Sequence, residues 1–558
     1  MRSGRCRRGW PALAALLGYA VLAATVFWPL PTHPARLLPH GGYGYLLDVP
    51  LEMFTLAWES RALVTEPWRI LDAPMFHPAR HVLLYGPTAL GVLPIFAPIY
   101  LLTGEVALAL NGALVLSLVL TAWTTHLVVR RWTGLQSAAV VAGAVVLTAE
   151  WLVRTWVPSA TSYAALWWFP LLVARVARPI RSWRDVGTIA LLAWLQSLAD
   201  LVYVAPAVLA PLGAIGVVRA LRRPTRRHGL ALLVATALAL GALVPLLAGH
   251  ARIARLEPDV TNQTSWHGPR FPERLPGDLV RGPLALEPTA WVLLAVGAGA
   301  AVVRRARRGR RREDGGWRAV VPWVVVGLAI SLETSFLLFD TPVVNRPLAH
   351  ARDVLPMLAG VRTYQRYRVA TLVGLALAAG LAFAEVVRPL AAVTRERWRA
   401  LARGVAAAAV VAVMVGAAPG FLHRTVDPYL PPEDELLAAY AARTGPVLEL
   451  PTSGFVHVDA MVIATYHRRP ILNGYDGYWP SGFPERMALA DRLPDDLAAL
   501  QRLRAEAGIT TIVVHQKWLT AEQRARWLAV ADAPVPGLRL RARVGVELVF
   551  DVEAATPG

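Results

Sequence analysis

The fold of this chain is decided by residues 106–131, which read VALALNGALVLSLVLTAWTTHLVVRR. A helix needs about 20 predominantly apolar residues to cross a bilayer, and this run supplies them before it ends at two arginines. Similar runs recur from Trp10 to about Gly420 and then stop. The chain has 17% charged residues and a mean hydropathy of +0.44, whereas soluble proteins carry about 25% charged residues. The pattern predicts an α-helical multi-pass protein of the plasma membrane.

The chain is basic, with a net charge of +19 that comes almost entirely from arginine. The arginines form short clusters between the apolar runs, which is typical of cytoplasmic loops under the positive-inside rule. This arrangement favours an orientation signal and argues against a nucleic-acid partner. Cys6 is the sole cysteine, which excludes an intrachain disulfide and a cysteine-based metal site.

The arginine clusters also predict the topology. The basic N-terminus lies in the cytoplasm, and every later cluster falls on the same side if residues 86–103 do not cross. We therefore expect this stretch, which contains three prolines, to be a re-entrant or interfacial segment. About eleven spans remain, at 10–30, 107–129, 138–153, 162–177, 187–201, 202–219, 229–249, 288–303, 318–338, 367–388 and 403–420.

Because the N-terminus is predicted to be cytoplasmic, an odd number of spans places the C-terminal part on the extracytoplasmic side of the membrane. We expect residues 1–424 to form the multi-pass domain, with a first outer loop at 31–106, and residues 425–558 to form a soluble extracytoplasmic domain. The tail has the pattern of a small α/β domain. Strands are predicted at 446–451, 509–515 and 544–552, and helices at 494–507 and 520–531.

The first outer loop holds the richest set of chemical groups. Asp48, Glu52 and Glu59 have the spacing i, i+4 and i+11, which places them on one face of a helix lying on the outer membrane surface. Such carboxylates can act as a general base toward a hydroxyl or bind a divalent metal such as Mg²⁺ or Mn²⁺. The alternative is that Asp48 caps the helix and both glutamates face water. Asp72 and His77 follow as further cavity or acceptor candidates.

This loop resembles the first outer loop of the GT-C superfamily of membrane glycosyltransferases. The resemblance is carried by Asp48 followed by Phe54 and Leu56-Ala57-Trp58, by Phe76-His77-Pro78, and by residues 127–134. It implies a GT-C-like fold, a polyprenyl-phosphate sugar as donor, and Asp48 as the catalytic acidic residue. The chain departs from the family at Val49, where a proline is common.

A second candidate site is the arginine-rich segment 360–368, which we expect to lie outside. Arg362, Arg366 and Arg368 can bind a lipid phosphate, because guanidinium groups pair bidentately with phosphate oxygens. The segment resembles an Arg-x-Pro-x-Arg-Phe pattern of similar proteins, with Tyr364 in place of the proline. The alternative is contact with lipid headgroups only.

Further candidates are acidic and aromatic groups on the outer side. Glu150, Asp200 and Glu333 lie near outer ends of predicted spans, where they could line a cavity facing Asp48 or simply meet water. His267 belongs to the long outer loop 250–287 and is a weaker candidate. In the tail, the aromatic stretch around Tyr475, Tyr478 and Trp479 could contact an acceptor glycan or pack the domain onto the membrane.

These features lead to a membrane glycosyltransferase as the principal hypothesis. Sugar would pass from a polyprenyl-phosphate donor to an extracytoplasmic lipid, glycan or protein. The alternatives are a transporter or flippase of a lipid-linked substrate and a non-catalytic cell-envelope assembly protein. The sequence holds no phosphate-binding loop of the Walker type, no dinucleotide motif and no Ser-His-Asp arrangement. The oligomeric state is left open by the sequence.

Overall fold

A computed structural model of the chain gives the architecture. The residues that the structure describes are 10–39, 45–149, 151–157, 159–256, 261–262, 273–275, 286, 288–308, 315–354, 361, 364–391, 400–401, 404–405, 408, 412, 426–533 and 535–553. Three candidates from the sequence, Glu150, His267 and Arg362, lie outside the described residues, as does most of the predicted span 403–420.

The first four-fifths of the chain is mainly helical. Its helices are α1 Trp10–Val26, α2 Tyr45–Thr65, α3 Leu93–Thr103, α4 Val106–Thr133, α5 Gln136–Thr148, α6 Trp168–Val176, α7 Trp183–Ser197, α8 Val204–Leu221, α9 Arg226–Leu256, α10 Pro288–Arg308, α11 Gly315–Ser331, α12 Arg346–Val354 and α13 Val369–Ala391.

Four helical stretches within the described residues are both long and apolar enough to cross a membrane. They are Val106–Thr133, Val204–Leu221, Arg223–Ile253 and Tyr364–Arg388. The last of these is 89% buried over its most apolar window, whereas Arg223–Ile253 is 22% buried. The helix Tyr364–Arg388 is therefore central in the bundle, and Arg223–Ile253 lies at its periphery.

Several predicted spans differ in detail from the observed helices. The region predicted as 138–153 ends its helix at Thr148 and continues as a π-helical turn, Trp151–Trp156. The region predicted as 162–177 contains only the nine residues of α6. Residues 335–338, predicted to end a span, instead form a strand, because α11 stops at Ser331. The count of eleven spans stays a prediction.

The stretch predicted to be re-entrant contains α3, an apolar helix of 11 residues. At 1.5 Å per residue it is about 16 Å long, roughly half the hydrocarbon thickness of a bilayer. It ends at Gly104, whose φ of 72° lies in the left-handed region that favours glycine. Its length agrees with a segment that does not cross, although its position relative to a bilayer stays a prediction.

The C-terminal part is a small α/β domain, as the sequence predicted. Its helices are α14 Asp434–Ala441, α15 Gly454–His467, α16 Phe483–Ala490, α17 Leu497–Ala507 and α18 Ala521–Asp532. The strands of the whole chain are β1 Leu37–Pro39, β2 Thr261–Asn262, β3 Glu273–Leu275, β4 Ser335–Leu338, β5 Thr341–Val344, β6 Val426–Pro428, β7 Val447–Leu450, β8 Tyr478–Trp479, β9 Thr511–His515, β10 Leu538–Val544 and β11 Glu547–Val552.

The domain is built on a four-stranded sheet with the order β10-β11-β9-β7. Strands β7 and β9 are parallel, and the other neighbours are antiparallel. Both parallel strands are fully buried, which explains why most of their residues are apolar, apart from Glu449, Thr511 and His515. Helix α18 begins with a capping box between Thr520 and Gln523.

The first loop, which contains α2, and the C-terminal domain share one hydrophobic core. The backbone N–H of Phe76 donates to the Asn473 carbonyl at 3.0 Å, and that of His77 donates to the Ile471 carbonyl at 2.9 Å. A Cβ on Gly474 would fall 2.5 Å from the Phe76 ring, so this position requires glycine. The loop also pairs β1 with β6. The first loop thus ties the C-terminal domain to the helical part.

Candidate functional site

The predicted helix of the first loop is α2, and its acidic face is turned inward. Glu59 is fully buried, and neither of its carboxyl oxygens makes a hydrogen bond of normal geometry within the described chain. Glu52 accepts a hydrogen bond at 3.1 Å from the backbone N–H of Thr161 and another from the Thr161 hydroxyl. The alternative in which both glutamates face water is therefore wrong, because the C-terminal domain and the helical bundle cover this helix.

Asp200 lies in the turn before α8 and is 3% exposed. Its carboxylate accepts hydrogen bonds from the backbone N–H groups of Val202, at 2.7 Å, and of Tyr203, at 2.9 Å. This pair of contacts fixes the start of α8 and the position of the Tyr203 ring.

Arg366 stands on a short 3₁₀ helix, Tyr364–Arg368, directly before α13. Its guanidinium lies between two aromatic rings, 4.2 Å from the centroid of Trp156 and 4.7 Å from that of Tyr203. Asp48 and Asp200 are both close enough to interact electrostatically with it. Cation–π contact and nearby carboxylates together hold this charge in place.

The first-loop cluster, as we name it, consists of Asp48, Glu52, Asp200 and Arg366. The charges of Asp48 and Asp200 both act on Glu52, which shows that the four groups share one region. It gathers residues from three separated parts of the sequence: the first loop, the turn before α8 and the segment before α13. The structure thus brings together four of the residues that the sequence singled out.

Burial controls the charge state of the glutamates on α2. It raises the pKa of Glu52 to about 7, against hydrogen bonds from Thr161 that lower it, while the charges of Asp48 and Asp200 raise it further. Burial likewise raises the pKa of Glu59 to about 8, with a smaller contribution from Glu52. The ionisation of Glu52 and Glu59 therefore changes near neutral pH.

Asp72 and His77 are placed elsewhere. Asp72 accepts a hydrogen bond from the backbone N–H of His81 at 2.7 Å, and the His81 ring lies 3.2 Å from the same carboxylate. His77 is part of the strip that packs against the C-terminal domain, and burial lowers its pKa. Both residues hold the loop in shape, and their contacts do not include the first-loop cluster.

Three other candidates also lie apart from the cluster. Arg368 is fully buried, and its Nε donates to the Ser331 hydroxyl at 3.2 Å. Trp479 is in β8, which pairs with β2 of the long outer loop, and its ring lies 5.5 Å from that of Phe483. Tyr475 packs against the core of the C-terminal domain.

Sequence reasoning missed the aromatic and hydroxyl groups that complete the cluster. Trp156, Tyr203 and Thr161 carry no motif, and they become neighbours only through the turns after α5 and before α8. Glu333 accepts a hydrogen bond from the backbone N–H of Tyr364 at 3.0 Å, two residues before Arg366. Placement of Trp156 and Tyr203 at the outer ends of predicted spans is the one signal that could have suggested them.

The residues of the cluster do not form an evident metal site. Within the described part of the chain, no group of three or more His, Cys, Asp or Glu side chains is arranged to hold a metal ion. Glu52 is engaged by Thr161, and Asp200 is engaged by two backbone N–H groups. The positive charge beside these carboxylates is the guanidinium of Arg366. We therefore assign no step to a divalent metal.

No family model matches the chain, and no curated protein matches it. Solved structures do. The apo oligosaccharyltransferase of Archaeoglobus fulgidus superposes with a TM-score of 0.50 at 12% identity, over 94% of this chain and 71% of that one. The AglB oligosaccharyltransferase of the same organism, in complex with an inhibitory peptide and a dolichol-phosphate, gives 0.49 at 12% identity, over 99% and 75%. ArnT of Cupriavidus metallidurans in the apo state gives 0.48 at 14% identity, over 98% of both chains.

Identity this low bears on the fold alone. The apo oligosaccharyltransferase nevertheless covers nearly the whole chain, including the C-terminal domain. The fold is therefore similar to that of this oligosaccharyltransferase, which agrees with the fold that the resemblance of the first loop implies.

Proposed function

We propose that this chain is a membrane glycosyltransferase that moves a sugar from a polyprenyl-phosphate donor to an acceptor hydroxyl on the extracytoplasmic side. The observation that carries the proposal is the placement of Arg366 against Trp156 and Tyr203, within electrostatic reach of Asp48. It supplies a carboxylate for the acceptor and a cation for the donor phosphate in one partly buried region.

Asp48 is assigned to the acceptor. It stands in the first turn of α2 and is partly accessible, unlike Glu59 deeper along the same helix. A carboxylate at this place can orient the acceptor hydroxyl and remove its proton as the new bond forms. The acceptor oxygen bonds to the anomeric carbon while the bond from that carbon to the phosphate oxygen breaks. A single displacement of this kind inverts the anomeric configuration.

Arg366 is assigned to the phosphate. The departing polyprenyl phosphate gains negative charge, and a fixed cation stabilises charge that develops in a transition state. The rings of Trp156 and Tyr203 hold the guanidinium before the donor arrives, so little ordering is needed on binding. Arg368 contacts Ser331 in the bundle, and its assignment to the donor phosphate is dropped.

Glu52 and Asp200 are assigned to positioning. Glu52 holds the segment at Thr161, and Asp200 holds the turn at Tyr203, so the two carboxylates secure the surroundings of the arginine. Their hydrogen bonds are made to the protein itself, which suits both carboxylates to positioning.

The test is transfer of radiolabelled sugar from a panel of polyprenyl-phosphate sugars by membranes that carry the wild-type chain or the Asp48→Ala variant. We expect transfer by the wild type and a loss of at least a hundredfold in the variant at equal protein level. Absence of transfer with every donor, or equal transfer by both proteins, would overturn the catalytic assignment and favour transport or assembly.

A further inference from the structure

An exposed aromatic pair marks the C-terminal domain. The rings of Phe455 and Trp518 are nearly parallel, with 10° between their planes and 6.0 Å between their centroids. Each residue keeps more than two-fifths of its surface exposed, at 44% and 43%. Since 6.0 Å exceeds the contact spacing of stacked rings, about 3.5–4 Å, the rings are offset and both leave part of a face uncovered.

A charged pair flanks the two rings. Asp459 follows Phe455 by one helical turn on α15, and Lys517 directly precedes Trp518. The Lys517 Nζ lies 3.9 Å from an Asp459 carboxylate oxygen and 5.3 Å from the centroid of the Trp518 ring. Both charged side chains are about half exposed. The aromatic surface therefore has hydrogen-bond donors and acceptors at its edge. We refer to these four residues as the aromatic platform.

The platform lies where α/β domains bind ligands. Strands β7 and β9 are parallel neighbours, so their carboxyl ends share one edge of the sheet. The platform residues follow these two ends, Phe455 on the helix after β7 and Lys517 and Trp518 directly after β9. Ligands of open α/β sheets bind outside the carboxyl ends of the strands.

The residues that support the platform are held rigidly. His515, the last residue of β9, lies between two carboxylates, with its Nε2 2.7 Å from Glu449 and its Nδ1 2.8 Å from Glu547. Asp459 interacts electrostatically with this group as well as with Lys517. A fixed base of this kind keeps the platform in one conformation.

The platform is also close to the first loop. Helix α15 packs along α2, and a Cβ on Gly454 would lie 3.9 Å from the side chain of Leu47, the residue before Asp48. An oligomeric ligand bound on Phe455 could therefore extend toward the start of α2.

We propose that Phe455, Trp518, Lys517 and Asp459 form a binding subsite for a glycan chain, and that this glycan is the acceptor. The identity of the acceptor rests on the function proposed above. The chemistry fits, because the π face of an aromatic ring is negative and the C–H face of a pyranose is weakly positive. The Lys–Asp pair meets the hydroxyl groups, which a purely apolar ligand would leave unmatched.

A membrane surface is the competing occupant, since aromatic residues also gather at bilayer interfaces. Asp459 argues against it, because a half-exposed carboxylate beside the rings is unfavourable in contact with lipid. The position at the carboxyl edge of a parallel strand pair also points to a ligand.

Binding is tested on the purified full-length chain in lipid nanodiscs by calorimetry. The probes are four pentasaccharides: β-1,4-glucan, β-1,4-N-acetylglucosamine, α-1,4-glucan and α-1,6-mannan. We expect at least one to bind, Trp518→Ala to weaken it tenfold or more, and Trp518→Phe to stay within about threefold. Phe339→Ala removes another exposed aromatic ring, 76% exposed, and should leave binding unchanged.

Further results distinguish a failure of sugar transfer from a failure of glycan binding. Calorimetry is carried out without a sugar donor, so a failure of sugar transfer does not affect the binding result. Failure of all four probes to bind, or full binding by Trp518→Ala, overturns the subsite. Greater quenching of the wild type than of Trp518→Phe by brominated lipid would assign the platform to the membrane and also overturn it.

Discussion

Two groups of charged residues in the described part of the chain differ in how their charges are balanced. In the C-terminal domain, His515 lies between Glu449 and Glu547, and Glu449 also accepts a hydrogen bond at 2.9 Å from Tyr440. In the first-loop cluster, Asp48 and Asp200 both interact electrostatically with Arg366, a residue that is partly exposed.

This difference distinguishes a group of charges with a structural role from one with a catalytic role. A group of charges that is enclosed on all sides is stabilised by its internal contacts, and its polar atoms are not available to bind a substrate. An excess of carboxylates around one accessible cation costs stability, and such a cost persists at sites that bind or react. We therefore propose that the first-loop cluster is the functional one of the two, and the following substitutions test that proposal.

The largest effect is expected from His515→Gln, which leaves two buried carboxylates without their cation. We expect the free energy of local unfolding of β9 to fall by about 3–5 kcal/mol at neutral pH. The two glutamates raise the pKa of His515 to about 10. Its stabilising charge is therefore fully present below pH ~6.5 and is lost as the pH rises through 10. Hydrogen exchange across this pH range measures it.

The control for this substitution is His33→Gln, which changes an exposed histidine of the helical part. It should leave the exchange of β9 unchanged. Equal protection of β9 in wild type and His515→Gln would show that the enclosed group is not structural.

Arg366→Gln addresses the accessible cation. We expect the KM for the polyprenyl-phosphate sugar to rise about 10- to 100-fold, equivalent to about 1.4–2.7 kcal/mol. The KM of Arg366→Lys should lie between those of the wild type and Arg366→Gln. An ammonium keeps the positive charge but lacks the planar fork of the guanidinium. The readout is the donor dependence of sugar transfer. Arg346→Gln, at an exposed arginine, serves as the control, and an unchanged KM in Arg366→Gln would contradict the assignment.

Glu59→Gln tests the cost of the acidic face of α2. Because burial raises the pKa of Glu59 to about 8, its protonated form is the one that suits the fold. The wild type should lose stability as the pH rises from about 4.5 to 8, and the variant should not. We expect the variant to be about 4 kcal/mol more stable than the wild type at pH 8. Thermal unfolding at pH 5 and pH 8 checks this, with Glu66→Gln, at a half-exposed glutamate, as the control.

The smallest effects are expected at Glu52. A glutamine oxygen can still accept the hydrogen bond from the Thr161 backbone, so Glu52→Gln should transfer sugar within about threefold of the wild type. Glu52→Leu loses that contact and should be about tenfold slower. Equal loss in both variants would mean that the carboxylate acts in the chemistry itself.

The sequence predicted the parts of the fold that depend on local pattern. Apolar runs gave the helical bundle, and a buried run gave β9. It did not predict the hairpin of β4 and β5, because an apolar stretch of this kind fits a span as well as a strand. Nor did it predict that the first loop enters the core of the C-terminal domain, since packing between distant segments leaves no periodic signal.

Prediction of the candidate site from the sequence meets the same limit. The spacing of Asp48, Glu52 and Glu59 gave their common helix face, and the outer ends of spans gave Asp200. The spacing could not say that Glu59 is buried or that Arg366 meets Trp156 and Tyr203, because those facts depend on how four separate segments pack.

The most direct measurement compares Asp48→Asn with His515→Gln in one preparation, recording both sugar transfer and the protection of β9. We predict that Asp48→Asn lowers transfer at least a hundredfold with β9 unchanged, because the amide cannot accept the acceptor's proton. His515→Gln should weaken β9 with a smaller loss of transfer per folded molecule. Wild-type transfer by Asp48→Asn would contradict the account.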